Sequence, residues 1–148
     1  MSIPEADVRN DPLGAVNRFL CWVFRRGRPR ALKRLVSLFF HVELPDLDHL
    51  VRLPHPHGVV VNGGVTLGRN VTLYQGVTLG SKRYGRNTGA PVLRDDVCVF
   101  PNAVVVGRVT VGAGAVIGPC SVVIEDVPPG AVVAGNPARV LVAAGRPE

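Results

Sequence analysis

Two histidines one residue apart, His55 and His57, stand in the run Pro54-His55-Pro56-His57-Gly58. A free imidazole titrates near pH 6.5, so either ring could take up a substrate proton at neutral pH. Beside prolines at a chain bend, the same rings could equally serve only packing or hydrogen bonding. A second stretch, Ser81-Lys82-Arg83-Tyr84-Gly85-Arg86-Asn87-Thr88-Gly89, is polar and basic. Its Lys82, Arg83 and Arg86 could meet phosphates as cations or remain solvated. The three cysteines, Cys21, Cys98 and Cys120, are odd in number and show neither metal-ligand nor redox spacing, so they read as reduced thiols. Neither Cys98 nor Cys120 has a histidine near it in sequence, and neither is expected to act as a nucleophile. His41 and His49 precede the first motif and read as surface or capping residues.

The elements that must position these residues follow from a six-residue count. Aliphatic side chains recur at Val61, Leu67, Leu73 and Leu79, and then at Leu93, Val99, Val105, Val111, Ile117 and Val123. Four positions into each hexad stands a small or β-branched residue: Val65, Val71, Val77, Val97, Ala103, Val109, Ala115, Ser121 and Val127. A period of six fits neither an α-helix nor a simple alternating strand. It fits short strands joined by bends, three hexads to a triangular coil, stacked in register as a parallel β-helix. Gly68, Gly112 and Gly118 follow inward residues at the bends, where a side chain would cost most. Two interruptions break the count. Leu53 to Val61 spans eight residues, two more than the period, across the histidine run, and Leu79 to Leu93 spans 14, so the basic stretch must leave the coil as a loop. Loops on a rigid scaffold are where function concentrates.

Composition agrees with that architecture. Of 148 residues, 28 are valine, 30 are glycine or proline and eight are aromatic, which opposes a helical bundle. At 47% hydrophobic the chain can bury a core, which opposes disorder. No apolar run approaches the roughly 18–20 residues of a bilayer span and no signal-peptide layout opens the chain, so a soluble cytoplasmic protein without an integral membrane segment is expected. Charge is uneven: residues 1–42 carry eight Lys/Arg against three Asp/Glu, and residues 43–148 carry nine against eight. Five aromatics, Phe19, Trp22, Phe24, Phe39 and Phe40, share the basic segment. Asp11-Pro12 reads as an N-cap followed by a first-turn proline, with Leu13, Val16, Leu20, Val23 and Phe24 at helical spacing. Gly27 and Pro29 interrupt, and Leu32, Leu35, Val36 and Phe39 mark a second helix. Both helices are expected to dock their apolar stripes on the rest of the protein with the arginines solvated, without a nucleic-acid partner; weak attraction to a membrane surface stays open.

The hexads, the His-Pro-His-Gly step, the run Tyr74-Gln75-Gly76-Val77-Thr78-Leu79-Gly80 and the terminal Val133-Ala134-Gly135-Asn136-Pro137-Ala138-Arg139-Val140 resemble the hexapeptide-repeat acyltransferases. Within them the likeness is greatest to the serine acetyltransferase group and its small relatives that act on sugars or polysaccharides. The resemblance covers about residues 43–142. It implies an all-β fold, a left-handed parallel β-helix of hexapeptide repeats with a short N-terminal helical segment and an extruded loop. The expected division is 1–42 helical segment, 43–142 β-helix with loop 80–92, and 143–148 tail. It also implies a homotrimer with active sites between subunits and acetyl-CoA as co-substrate.

Such transfer needs a general base and amide donors for the oxyanion, and no metal. The resemblance gives His55 the general-base position, with His57 as its competitor, and Glu43 the role of the orienting acid, for which Asp46 or Asp48 could substitute. Gln75 and His57 would face the acceptor. Gly80, Ser81, Ala134, Gly135, Asn136, Pro137 and Arg139 would contact the coenzyme. Two departures matter. Ala90-Pro91 stands where serine acetyltransferases resemble His-Pro, which weakens serine relative to a sugar as acceptor, and Pro101 and Pro119 occupy small-residue positions of the pantetheine channel, where proline offers no N–H. A non-catalytic β-helix scaffold is the rival reading. A metal-dependent β-helix hydrolase would need histidines within and between coils, and residues 93–128 have none.

Overall fold

The computed structural model describes residues 12–48 and 50–143. The expected N-cap at Asp11, the histidine at 49 and residues 144–148 of the tail lie outside the described residues. Two helices, α1 (Pro12–Val23) and α2 (Arg30–Phe40), come first. Short strands follow among the described residues: β1 (Val60–Val61), β2 (Thr66–Leu67), β3 (Thr72–Leu73), β4 (Thr78–Gly80), β5 (Val92–Leu93) and β6 (Cys98–Val99). The second half adds β7 (Val104–Val106), β8 (Thr110–Val111), β9 (Val116–Ile117), β10 (Val122–Val123), β11 (Val132–Gly135) and β12 (Ala138–Val142).

The strands form three sheets: four strands in the order β1-β4-β7-β10, five in the order β12-β11-β9-β6-β3, and three in the order β2-β5-β8. Every pairing is parallel except β11 with β12. From β1 to β10 consecutive strands therefore visit the three faces in turn, and this part of the chain is a parallel β-helix. Its register reproduces the sequence count. Val61 pairs with Leu79 and Leu93 with Val111, each eighteen positions on. Leu67 pairs with Leu93, twenty-six on, so the eight extra residues of the loop are left out of the coil. Arg52 bridges Thr72, twenty on, which leaves out the two extra residues of the histidine step.

The inward ladder is the core. All ten aliphatic positions from Val61 to Val123, and all nine of the accompanying small set, are buried. Among the described residues no aromatic ring is buried in the coils; the buried aromatic is Phe24 of the N-terminal segment. The bend glycines meet their expected constraint: a Cβ on Gly68 would lie 2.5 Å from the Arg94 carbonyl carbon, and one on Gly112 would lie 2.3 Å from the Pro129 nitrogen. Ser121 is the polar exception in the core. Its Oγ accepts the Gly135 N–H at 3.1 Å, tying the β11–β12 hairpin to the last turns of the helix.

The N-terminal end is closed by α1. Leu20, Val23 and Phe24 are buried, Asn17 Oδ1 accepts the Leu53 N–H at 3.1 Å, and the Cys21 thiol donates to the Val51 carbonyl at 3.2 Å. The expectation for α2 needs correction. Only Val36 is fully buried there; Leu35 is 66% and Phe39 80% exposed. Successive residues turn by about 100°, so Leu32, Val36 and Phe40 share the inward line, while Leu35 and Phe39 fall on the next line round with Ala31 and Leu38. An apolar spacing admits either phase, and docking selected the other one.

The cysteines differ in setting. Cys21 and Cys98 are buried, and burial pushes both thiols up from their usual range, whereas Cys120 is exposed. Thiol reagents attack the thiolate. Titration of the native protein with an aromatic disulfide is therefore expected to release one equivalent rapidly, and the other two only on unfolding; two fast equivalents would contradict this arrangement.

Candidate active site

The histidine step stands on the edge between the five- and four-stranded faces, and the turns of successive coils stack on it. Gly76 N–H donates to His57 O at 2.9 Å, Asn102 N–H to Gln75 O at 3.0 Å, and Cys120 N–H to Pro101 O at 3.0 Å. Gly58, Gly76, Asn102 and Cys120 all take positive φ, from 55° to 68°. At Gly76 space adds to conformation: a Cβ would lie 2.2 Å from Asn102 Oδ1. Below, Gly58 N–H donates to the carbonyl of His41, which closes α2 in the left-handed region at φ 51°. His41 thus has a capping place, as the sequence allowed. Because the amides of Gly58, Gly76, Asn102 and Cys120 are engaged in this ladder, they are not free to receive an oxyanion.

On this edge His55 and His57 are both exposed, with Pro56 buried between them. The His55 ring lies 6.4 Å from that of Tyr74, and Tyr74 stacks on Phe100 at 5.2 Å and 12°. Neither aromatic was singled out from the sequence. Each directly follows an inward residue, Leu73 or Val99, and their separation of twenty-six is the register across the loop; that was the available signal. Gln75 lies in the same turn as Tyr74, and its Oε1 is buried without a hydrogen-bond partner. An unmatched buried acceptor costs about 1–3 kcal/mol.

The other predicted residues are dispersed. Glu43 bridges Val60 through Glu43 N–H to Val59 O at 2.9 Å and Val61 N–H to Glu43 O at 2.7 Å, and its side chain is exposed. Among the described residues no side-chain hydrogen bond joins Glu43 to either histidine. Asp46 is engaged by Lys33, whose ammonium holds the carboxyl below its usual range, and Asp48 lies 3.8 Å from Arg26. Gly80 and Ser81 begin the loop on the opposite side of the four-stranded face from the histidines, with Gly80 in register with Val106. Lys82 and Gly89 exchange backbone hydrogen bonds of 2.8 and 2.9 Å across the loop neck, and Asn87 O accepts the Arg108 N–H at 2.7 Å. Lys82, Arg83 and Arg86 are exposed and make no ion pair among the described residues. Ala90 shares this edge, where a Cβ on Gly64 would come within 3.3 Å of its methyl group. Ala134 and Gly135 pair with Arg139 and Ala138 around the Asn136-Pro137 turn, whose peptide bond is cis. Arg139 turns its guanidinium to the Ala138 carbonyl at 2.9 Å. One chain therefore brings His55, His57 and Gln75 together, sets the terminal hairpin farther along the same edge above the Cys120–Ser121 turn, and puts the loop base on the other side of the four-stranded face. No group of three His, Cys, Asp or Glu converges among the described residues.

Comparison with known proteins adds to this geometry. The family described as bacterial transferase hexapeptide (six repeats) matches residues 90–125. A serine acetyltransferase of Bacillus licheniformis is 38% identical over 120 residues, covering 79% of this chain and 56% of the relative. One of Escherichia coli is 34% identical over 134 residues, covering 86% and 48%. Among solved structures, a serine acetyltransferase in complex with cysteine superimposes with a TM-score of 0.70 at 30% identity, covering 85% of this chain and 55% of that one. A Brucella abortus serine acetyltransferase in complex with coenzyme A gives 0.70 at 28%, covering 88% and 55%. The chain thus spans about half the length of the relatives it matches.

Proposed function

Because the chain carries a hexapeptide-repeat transferase domain whose relatives are serine acetyltransferases, we propose that it transfers an acetyl group from acetyl-CoA to an acceptor hydroxyl, with serine the favoured acceptor. His55 is the general base. It takes the hydroxyl proton as the oxygen attacks the thioester carbonyl; the tetrahedral adduct then expels the CoA sulfur, and the imidazolium returns the proton to it. The observation that carries this reading is the exposed His55 at the two-residue insertion, beside Gln75 with its unmatched buried oxygen.

The rest of the reading follows the family. The helix is left-handed, and the division into residues 1–42, 43–142 and a tail is retained. The working unit is a homotrimer. Two features support that: His55 and the Gly80–Ser81 loop base flank the same four-stranded face in one chain, and that face turns outward Val60, Thr78, Val104 and Val122. A neighbouring copy on it would join one chain's histidine edge to the other's loop edge. The coenzyme would then lie between copies, against Gly80, Ser81 and the turn from Ala134 to Arg139. Glu43, whose side chain is exposed, would orient the base in another rotamer or from a neighbouring chain. No metal enters the chemistry, and a cytoplasmic setting is consistent with the absence, among the described residues, of a helix able to cross a membrane.

Release of free CoA thiol from acetyl-CoA, followed with serine, with sugars and without acceptor, tests the proposal. Serine-dependent release is expected. Ala90 removes the second imidazole that the family resemblance associates with the acceptor, so a high KM for serine is expected, lowered in Ala90→His. Release with sugars alone would overturn serine as the acceptor, and none with any hydroxyl would overturn the transferase reading.

A further inference from the structure

The outward sides of the two N-terminal helices are not explained by packing or by acyl transfer. On α1 the exposed line runs through Ala15, Phe19 and Trp22, with Phe19 and Trp22 stacked at 6.4 Å. On α2 it runs through Ala31, Leu35, Leu38 and Phe39; Trp22 is 46% and Leu38 76% exposed. Cations flank both lines. Residues 12–42 contain seven Lys or Arg and no Asp or Glu. Lys33 and Arg26 find acids downstream at Asp46 and Asp48, while Arg18, Arg25, Arg28, Arg30 and Arg34 make no ion pair among the described residues. The Arg28 guanidinium lies 3.9 Å from the Trp22 ring centre, which keeps a charge beside the most amphipathic ring of the patch. An open groove of about 1090 Å³ runs between α2 and the first coil, lined in part by Arg30, Arg34, Leu35 and Leu38.

We propose that these outward faces form a docking surface for an anionic phospholipid bilayer. Exposed Leu, Phe and Trp suit the acyl boundary, and arginines beside them suit phosphate headgroups. The charge argues against the other occupants. A second copy laid face to face would oppose the five arginines that make no ion pair to their own five, with Glu43 the one acid lining the groove among the described residues. A nucleic acid would be served by the arginines and the rings, but the aliphatic line of Leu35 and Leu38 offers it nothing. The surface lies at the end of the β-helix nearest the histidine step, since Gly58 is bonded to the residue that closes α2. Docking would therefore leave that end of the molecule close to the lipid. The inference does not rest on the enzymatic reading.

Flotation of the full chain with vesicles of phosphatidylcholine, alone or with phosphatidylglycerol, tests it. Trp22 is the only tryptophan, so its emission reports the patch directly. Binding is expected to the anionic vesicles, weakened by salt, with a blue shift of the emission. Arg30→Gln and Arg34→Gln should each weaken it about fivefold. The double change Leu38→Gln with Phe39→Gln should weaken it about tenfold and shrink the blue shift. Three results would each overturn the proposal: no binding to anionic vesicles at low salt; unchanged binding by the Leu38/Phe39 variant, which would mark a simple polyanion surface; or a lower mass of that variant in lipid-free light scattering, which would mark a face covered by another copy.

Discussion

Replacing His55 with alanine is expected to lower kcat for acetyl transfer about 10³-fold, within the roughly 10²–10⁴ that a positioned general base supplies. The corresponding rise in the barrier is about 4 kcal/mol. The side chain is exposed and its ring lies 6.4 Å from that of Tyr74, so the fold should hardly register its loss. Activity and stability therefore separate: the variant should keep the parent's oligomeric mass and melting temperature while turnover collapses. His57→Ala supplies the internal control. The backbone carbonyl of His57 holds Gly76, but its side chain can be removed without touching that bond. A modest effect at 57 with a large one at 55 fits the assignment. The reverse pattern would move the base by two residues, and thioester turnover unchanged in both would exclude this edge as the site.

Leu79→Ala should cost about 3 kcal/mol of stability. Leu79 is fully buried, between Val61 of the coil below and Val105 of the coil above, with strand partners on both sides that cannot close in on the space. Truncating such a leucine loses its transfer free energy and leaves a cavity, and the measured range for the change is about 2–5 kcal/mol. A chain of this size should then melt roughly 10 °C lower. Thr66→Ala, on an exposed outward position, serves as the comparison and should stay within about 0.5 kcal/mol of the parent. A Leu79→Ala protein melting within a degree or two of the parent would contradict a single continuous ladder of core residues.

The coil was legible in the sequence because its rule is local and repeated. Each hexad must turn one aliphatic side chain inward, so Val61 to Val123 could be assigned residue by residue and the two insertions located by counting. The helices show the limit of that reasoning. Spacing identified α2, yet the line through Leu32 and Val36 and the line through Leu35 and Phe39 are both apolar, and only the shape of the surface beneath decides between them. The candidate site was legible in part. His55, His57 and Gln75 were drawn together by the register, whereas Glu43, Ser81 and Arg139 sit where one chain offers them no common cavity. The Tyr74–Phe100 stack was hidden because the rings are twenty-six residues apart, and they become neighbours only once the loop has been removed from the count.

The parallel register also governs how the chain can fold. Every parallel strand pair joins residues at least sixteen positions apart, and the pairs spanning the loop join residues twenty-six apart. Each such contact requires a loop to close before it is rewarded, which slows folding relative to a protein of hairpins. Among the described strands only β11 and β12 pair without that entropic delay, through a two-residue turn at Asn136-Pro137. That hairpin already carries the Gly135 amide that Ser121 accepts and the Val133 carbonyl that receives the Gly118 N–H. The C-terminal end thus holds a ready template, and coils can add to it one at a time toward the histidine step.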